Sequence, residues 1–205
     1  MSASTGQGST NPPSALALVG FMGVGKSTIG RLAAASLHCP FVDSDVLVEK
    51  RHGDISEIFA ARGEQLFRQF ERDEVCAALT AALERPSVVA LGGGAVLSPE
   101  VRETLGRLRH VVWLTAPADV LWARVRTSTG RRPLASDEDR FRRLLEERSA
   151  LYATVATDAV INDGRRPQSD VADEVARIAS AATGTGTGTK EAWGMSGRLD
   201  GAGGP

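Results

Sequence analysis

The chain has 205 residues, of which 42% are hydrophobic and 24% are charged, a composition typical of one globular domain with a sizeable core. No stretch approaches the roughly 18 uninterrupted apolar residues of a membrane helix, which argues against a protein that spans the bilayer. The 24 basic and 25 acidic side chains nearly cancel, so the molecule has no overall basic field for nucleic acid or an anionic membrane surface. Any anion that it binds must be held locally.

The two ends of the chain are expected to be disordered. Residues 1–14 and 183–205 are rich in Gly, Ser, Thr and Pro and contain little that could be buried, so the folded domain is predicted over 15–182. The first 14 residues also lack the features of a secretory signal, which makes the cytoplasm the expected location. Cys39 and Cys76 stand apart, a pattern that favours two buried thiols in a reducing compartment over a disulfide or a zinc site.

Short apolar runs alternate with helical patterns along 15–182. The runs predict strands that are buried on both faces, at 15–19, 41–42, 88–91, 111–114 and 159–161. The helical patterns lie at 26–37, 56–62, 64–83, 119–126, 138–152 and 170–182, with Gly63 ending the second and Ser169 capping the last. This order predicts a three-layer α/β fold with a five-stranded, mostly parallel sheet flanked by helices. Ligands of such sheets bind at the carboxyl ends of the strands.

The segment 20–27 reads GFMGVGKS and fits the phosphate-binding pattern GxxxxGK[ST] between the first predicted strand and the first predicted helix. Glycines there let consecutive backbone N–H groups point inward, and the helix N-terminus adds partial positive charge. Lys26 supplies a charge for the outer phosphates of a triphosphate, and the Ser27 hydroxyl can bind Mg²⁺. The alternative, a glycine-rich turn that happens to contain Lys-Ser, does not explain this strand-to-helix context.

Two further groups of residues follow predicted strands at the same edge of the sheet. Asp43 and Asp45 end the second strand, where one carboxylate can hold the hydration shell of Mg²⁺ and the other can orient an acceptor hydroxyl and take its proton. An Asx turn that caps the next helix is the alternative. Glycines 92–94 follow the third strand and allow a ligand to touch the backbone, although a loose turn explains them equally well.

Arginines are concentrated near this edge. Arg68 and Glu71 share one helical face, an arrangement that an exposed ion pair also explains. Segment 124–148 holds eight arginines against five acids. Within it, the glycine-preceded run 131–134 predicts a mobile, arginine-bearing lid over about 125–140 that closes over phosphates. Solvated arginines without a role account for some of this excess.

Six motifs in this chain resemble, in order and approximate spacing, those of the shikimate kinases. The resemblance covers nearly all of 15–182. It implies a P-loop kinase fold of the nucleoside monophosphate kinase type and ATP- and Mg²⁺-dependent phosphorylation of the shikimate 3-hydroxyl, toward chorismate and the aromatic amino acids, by a small monomeric cytoplasmic enzyme. The motifs are Gly20-x-x-Gly23-x-Gly25-Lys26-Ser27, Asp43-x-Asp45, Phe67-Arg68-x-x-Glu71, Gly92-Gly93-Gly94, Arg132-Pro133-Leu134 and Arg148-x-x-x-Tyr152.

The same resemblance implies a role for individual residues. Catalysis would rest on Lys26, Asp45 and Arg132, and the metal would be held by Ser27 and, through water, by Asp43. The nucleotide would contact Gly23, Val24, Gly25, Lys26, Ser27, Thr28, Arg126, Arg132 and Pro167, with Arg126 stacking on adenine. Shikimate would contact Asp45, Arg68, Gly92, Gly93, Gly94 and Arg148, the two arginines gripping its carboxylate and ring hydroxyls.

Two other functions stay open from the sequence. A related small-molecule kinase such as gluconate kinase would use a substrate that also combines a carboxylate with hydroxyls. A catalytically silent, nucleotide-binding regulator would keep the P-loop but has no need for a carboxylate at Asp45. Nucleic-acid binding is not expected, because the arginines are not interleaved with aromatic side chains.

Overall fold

The computed structural model describes residues 14–127 and 137–181. Its centre is a sheet of five strands in the order β2-β3-β1-β4-β5. Every neighbouring pair is parallel, so all five carboxyl ends meet at one edge, the edge where the sequence places its chemistry. The strands are β1 (Leu16–Val19), β2 (Phe41–Asp43), β3 (Val88–Ala90), β4 (His110–Thr115) and β5 (Asp158–Ile161).

Helices within the described residues cover the sheet. They are α1 (Lys26–Ser36), α2 (Ser44–His52), α3 (Ile55–Glu84), α4 (Pro99–Leu105), α5 (Ala118–Thr127), α6 (Glu138–Val155) and α7 (Gln168–Ser180), with a short 3-10 helix at Ala95–Leu97. Helices α1 and α7 pack against each other, and α3, α4 and α6 meet around the 3-10 helix. The predicted three-layer α/β architecture is confirmed, and the sheet is parallel throughout.

The apolar runs form strands because both of their faces are covered. In β1, Leu16 and Leu18 have no exposed surface and Val19 exposes only 1%. A strand without a polar face is stable only between two layers of helices. Burying each leucine side chain contributes roughly 1.5–3 kcal/mol, so the centre of the sheet anchors the loops that leave its carboxyl edge.

Two helices were not predicted. Helix α2 is polar and short, and it starts where the Asp43 carboxylate accepts the backbone N–H of Asp45 at 3.1 Å. The Asx-type cap that the sequence offered as an alternative for Asp43 is therefore present. Helix α4 begins at Pro99, with the Ser98 hydroxyl accepting the N–H of Val101 at 3.3 Å, and this Ser-Pro pair is the signal that could have revealed it.

Other local predictions had mixed outcomes. The predicted break at Gly63 is confirmed, since α3 kinks there with a φ of 81° and a ψ of 166°. The prediction of Ser169 as an N-cap is wrong: α7 is preceded by Pro167, and the Ser169 hydroxyl donates to Asp170 at 3.1 Å instead. Cys39 and Cys76 are free thiols, as expected, but both are only partly buried.

Some predictions concern residues outside the described ranges. Nearly all of both predicted disordered ends lies there, as do lid residues 128–136, including Arg132. The ends of the predicted lid are ordinary helix, because α5 runs to Thr127 and α6 starts after Asp137, whose carboxylate accepts the N–H of Arg140 at 2.8 Å. Among the helices of 14–127 and 137–181, none combines the length and the apolar character needed to cross a membrane.

Candidate active site

The P-loop occupies the carboxyl end of β1 and leads directly into α1. Gly25 stands at the start of α1 with a φ of 94°, a left-handed conformation that only glycine adopts readily. The Lys26 ammonium folds back over the loop and donates to the carbonyls of Gly20 at 2.8 Å and Phe21 at 3.1 Å. In the described residues no side chain caps the first turn of α1, and a helix N-terminus of this kind is suited to binding an anion.

The P-loop is held from behind by two residues that the sequence did not single out. The Asn162 carboxamide, at the end of β5, donates to the Val24 carbonyl at 2.8 Å. The Arg124 guanidinium, from α5, donates to the Asn162 carbonyl at 2.8 Å and to the Gly23 carbonyl at 3.5 Å. Neither residue belongs to one of the sequence motifs. Their contacts could not be read from a local pattern, because each contact joins parts of the chain more than 30 residues apart.

Beside the P-loop, the first turn of α2, which directly follows β2, carries Asp45 at the cleft. One side of Asp45 is exposed, but the protein crowds the others, and this burial together with the like charges of Asp43, Glu71 and Glu49 raises the pKa of its carboxyl to about 6, despite the opposing effect of Lys26. An aspartate with this pKa is ionised at pH 7 yet is more basic than usual, which suits a group that accepts a proton.

The glycine segment fixes the position of Asp45 from the neighbouring strand. The buried Ser44 hydroxyl accepts the N–H of Gly92 at 2.8 Å. A side chain at Gly92 would lie 2.5 Å from an oxygen of Asp45 and 2.6 Å from one of Glu71. Only a residue without a Cβ lets both carboxylates approach the backbone this closely.

The two predicted arginines sit differently. Arg68 is paired with Glu71 at 2.6 Å and Glu64 at 3.0 Å. Burial works against the charge of Arg68, but these two acids outweigh it and raise the pKa of the guanidinium. Glu71 is only 3% exposed, so the Arg68–Glu71 contact is a partly buried pair and not the exposed one that the sequence also allowed.

Arg148 is the more unusual of the two arginines, since it is 93% buried and its Nε has no acceptor in the part of the chain that the structure describes. Burial, assisted by repulsion from Arg68, lowers the pKa of its guanidinium. The group lies over the Phe21 ring, 5.6 Å from its centre. A buried cation with an unused donor is costly unless a ligand supplies an anion, which makes Arg148 a candidate anion receptor.

A cavity of about 690 Å³ joins these groups. Gly93, one of its lining residues, is held by Tyr152, whose hydroxyl donates to the Gly93 carbonyl at 2.6 Å, and burial keeps the pKa of that hydroxyl above its ordinary value. The structure therefore brings together five of the predicted substrate residues and one P-loop residue, Met22. The polar lining consists of Asp45, Ser56, Glu64, Arg68, Glu71, Gly93, Gly94, Arg140 and Arg148, and the apolar lining of Met22, Ile55, Phe59, Ala60, Phe67 and Leu144.

The residues expected at the adenine, Arg126 and Pro167, are not the ones whose side chains hydrogen-bond the P-loop in the described part of the chain. The Arg126 guanidinium lies over the Trp122 ring at 5.8 Å and its side chain is exposed. Arg124 instead reaches both the P-loop and the loop after β5, in which Pro167 precedes α7. Arg124 and Arg126 are two positions apart on α5, so their side chains cannot point to the same side of the helix. The buried neighbours Leu121 and Val125 would have indicated that Arg124 is the inward one.

Gly94→Ala is expected to raise the KM of the acceptor about tenfold without changing the KM of the nucleotide. A Cβ at position 94 would collide with the Arg68 guanidinium, so Arg68 must leave its place in the cavity, and one lost charge-assisted contact is worth at least about tenfold. Steady-state kinetics with both substrates measures the effect. Gly106→Ala is the control, because Gly106 has an ordinary helical φ of −61° far from the cavity. Equal KM values for both variants would contradict the placement of Arg68.

Comparisons with known proteins agree with this geometry. The sequence model of the shikimate kinase family matches residues 22–179. A shikimate kinase from Symbiobacterium thermophilum is 42% identical over 168 residues, covering 80% of this chain and 95% of that protein. A shikimate kinase from Mycobacterium avium is 45% identical over 165 residues, covering 78% of this chain and 91% of that protein. Among solved structures, shikimate kinase from Acinetobacter baumannii in complex with shikimate matches with a TM-score of 0.74 and 31% identity, covering 82% of this chain and 93% of that one.

Proposed function

Since the chain belongs to the shikimate kinase family, we propose that it transfers the γ-phosphoryl group of ATP to the 3-hydroxyl of shikimate, giving shikimate 3-phosphate and ADP. The observation that carries this proposal is the shared cavity. The buried Arg148 guanidinium, with an Nε donor that no described residue accepts, opens into the same space as Asp45 and the P-loop residue Met22. A carboxylate receptor and a phosphate cradle in one cleft are what this reaction requires.

On the nucleotide side, the backbone N–H groups of 23–28 bind the phosphates, and Lys26 moves from the loop carbonyls to the outer phosphates. Arg124, rather than Arg126, lies beside the nucleoside, because it contacts the P-loop and the loop that ends at Pro167. Arg132 of the predicted lid contributes a further charge to the transferring group. Each of these assignments places positive charge or an N–H donor where negative charge accumulates during transfer.

The residues at this edge also fit a magnesium ion. Mg²⁺ prefers oxygen ligands and usually keeps several waters while it bridges phosphates. Ser27 is the second residue of α1, and the Asp43 carboxylate uses one oxygen for the Asp45 N–H, so these residues offer hard oxygen donors next to the phosphate cradle. Ser27 would hold the ion directly and Asp43 through water. When bound, Mg²⁺ neutralises phosphate charge.

On the acceptor side, Arg148 and Arg68 bind the carboxylate of shikimate, and the Gly93 and Gly94 backbone supports its ring hydroxyls. A guanidinium fork matches a planar carboxylate with two hydrogen bonds, which a lysine cannot do. With the carboxylate fixed at that end, the 3-hydroxyl is turned toward Asp45. Asp45 orients this hydroxyl and accepts its proton as the oxygen attacks the γ-phosphorus and the bond to ADP breaks.

The remaining parts of the proposal concern context. The enzyme acts in the cytoplasm as a monomer, without nucleic-acid or membrane partners. The near balance of charges and the concentration of arginines around one cleft support binding of a small anionic substrate rather than a polyanion. The domain over 15–182 carries the activity.

A coupled assay of ADP release with Mg-ATP tests the function. Shikimate is expected to accelerate ADP production well above the rate with water alone, whereas gluconate and nucleoside monophosphates are not. Gluconate combines a carboxylate with hydroxyls on an open chain, so its failure would show that the ring geometry matters. Equal acceleration by gluconate would replace this proposal with a gluconate kinase, and no acceleration by any acceptor would indicate a silent nucleotide-binding protein.

The kcat/KM for shikimate is expected to fall as the pH drops below about 6. Asp45, whose pKa is raised to about 6, becomes protonated there and can no longer accept the hydroxyl proton. Glu49→Gln removes one of the like charges that raise this pKa. In this variant the fall of kcat/KM on the acid side of the pH profile, the acid limb, should therefore lie at lower pH than in the wild type. Glu84→Gln, an exposed charge change at the far end of α3, is the control and should leave the limb in place. Identical limbs for Glu49→Gln and the wild type would assign the limb to another group.

A further inference from the structure

Asn162 makes an unusual contact for a residue at the end of an outer strand. Its side chain is buried, with the residue 3% exposed, and its carboxamide Nδ2 donates to the Val24 carbonyl at 2.8 Å. The backbone N–H of Asn162 donates to the Thr115 carbonyl at 2.8 Å, which fixes the position of the residue beside β4. The carboxamide is therefore held under the P-loop by the sheet itself.

This contact determines where one P-loop N–H group points. The Val24 carbonyl and the Gly25 N–H belong to the same planar, trans peptide, so they point in opposite directions. With the carbonyl directed at Asn162, the Gly25 N–H faces away from β5. A Cβ at Gly25 would lie 2.8 Å from the Asn162 Nδ2, so the glycine and the carboxamide are fitted to each other.

Arg124 contacts both Asn162 and the P-loop. Its guanidinium donates to the carbonyls of Asn162 and Gly23, at 2.8 Å and 3.5 Å. Two successive P-loop carbonyls, those of Gly23 and Val24, are thereby occupied by side chains from outside the loop. A loop rich in glycine would otherwise sample other peptide orientations.

We propose that Asn162 is a positioning residue for nucleotide binding: its carboxamide sets the Val24–Gly25 peptide so that the Gly25 N–H is ready for phosphate. The inference rests on the proposed function of this site. It assigns a task to a residue outside every motif in the sequence, and it requires a hydrogen-bond donor at this position, not merely a side chain of the right size.

Asn162→Asp is the sharpest variant because it keeps the shape and replaces the donor by a carboxylate. The carboxylate faces the Val24 carbonyl and repels it, which drives the peptide away from its binding orientation. The affinity for ADP at pH 8 is expected to fall about 10- to 100-fold relative to wild type, whereas the affinity for shikimate alone changes less than about twofold. Isothermal titration calorimetry of the full chain with each ligand separately measures both.

A pH comparison tests the need for a donor directly. At pH 5.5 the introduced carboxyl, buried beside a carbonyl, is partly protonated and regains a donor, so the ratio of variant to wild-type ADP affinity should recover. Taking the ratio cancels the titration of ADP itself. Asp163→Asn, one residue further along, is the matched control: Asp163 accepts the N–H of Arg165 and does not touch the P-loop, so its ADP affinity should equal that of wild type.

The results separate the possibilities. An unchanged ADP affinity of Asn162→Asp, or a parallel loss of ADP affinity, shikimate affinity and thermal stability, would overturn the positioning role. If Asn162→Asp does not fold, Asn162→Ala takes its place and should likewise lose affinity for ADP but not for shikimate. Failure of both variants to fold would also overturn the role. If wild type itself neither binds ADP nor phosphorylates shikimate, the proposed function fails first, and this is read from wild type alone.

Discussion

Asp45→Asn is expected to lower kcat for shikimate phosphorylation by at least about 100-fold. The substitution keeps the size of the side chain and its position at the start of α2, but an amide cannot accept the hydroxyl proton, and general-base catalysis contributes roughly 10²–10⁴. The coupled ADP-release assay at saturating substrates measures the change. A turnover within about twofold of wild type would remove Asp45 from the reaction.

The stability of the same variant provides its control. The pKa of Asp45 is higher in the folded protein than in the unfolded chain, so the ionised carboxylate is disfavoured by folding at pH 7. Removing that charge should leave the unfolding free energy equal or slightly higher above pH 6, with the difference vanishing as the pH falls through the ordinary value for aspartate. Urea unfolding at pH 7.5 and at pH 3.5 checks the sign, and a loss of stability at pH 7.5 would mean that the fold, not the chemistry, explains a lost turnover.

Arg148→Lys is expected to weaken shikimate binding by roughly 10- to 150-fold and to leave ATP binding unchanged. The lysine keeps a charge but loses the planar fork and the buried Nε donor that a carboxylate would use, and each such contact is worth on the order of 1.5–3 kcal/mol. Arg68→Lys should have a smaller effect, because Arg68 is already engaged by Glu71 and Glu64. Calorimetric titration with each substrate separates the two arginines.

Two further variants keep this result interpretable. Arg143→Lys makes the same change at an exposed position on the same helix and should bind shikimate as wild type does. Arg148→Met should abolish shikimate binding and yet unfold at the same or a higher temperature, since it removes a buried cation whose Nε no described residue accepts. If Arg148→Met unfolds at a clearly lower temperature, the guanidinium has a structural role that the proposed substrate site does not include.

The sequence predicted the parts of the fold that local pattern determines. Strands β1 and β3 are apolar and buried on both faces. The P-loop, the Asp45 carboxylate and the glycines 92–94 follow strands whose parallel order brings them to one edge. Even the kink at Gly63 was readable, because a glycine interrupts a helical pattern there. Helix α2 was missed for the opposite reason, since its polar sequence has no apolar stripe and its start depends on a cap that also looked like a metal ligand.

The pairing of distant side chains was beyond the sequence. Nothing local indicates that Arg148 is buried without an acceptor at its Nε, that Glu71 is buried against Arg68, or that Asn162 reaches the P-loop across 138 positions. These features depend on which side of each helix faces the cleft and on how deeply each side chain is buried. Arg124 and Arg126 illustrate the problem, because the two have the same chemistry and only the orientation of α5 shows which of them contacts the P-loop.

The most direct test of the central claim is the identity of the bond that is made. After incubation of the protein with Mg-ATP and shikimate, a ¹H–³¹P correlation spectrum is expected to join the new phosphate resonance to the ring proton on carbon 3, in an amount equal to the ADP released. Coupling to another ring position would contradict the placement of the 3-hydroxyl at Asp45. ADP that appears with inorganic phosphate alone would contradict the claim that this cleft holds shikimate for transfer.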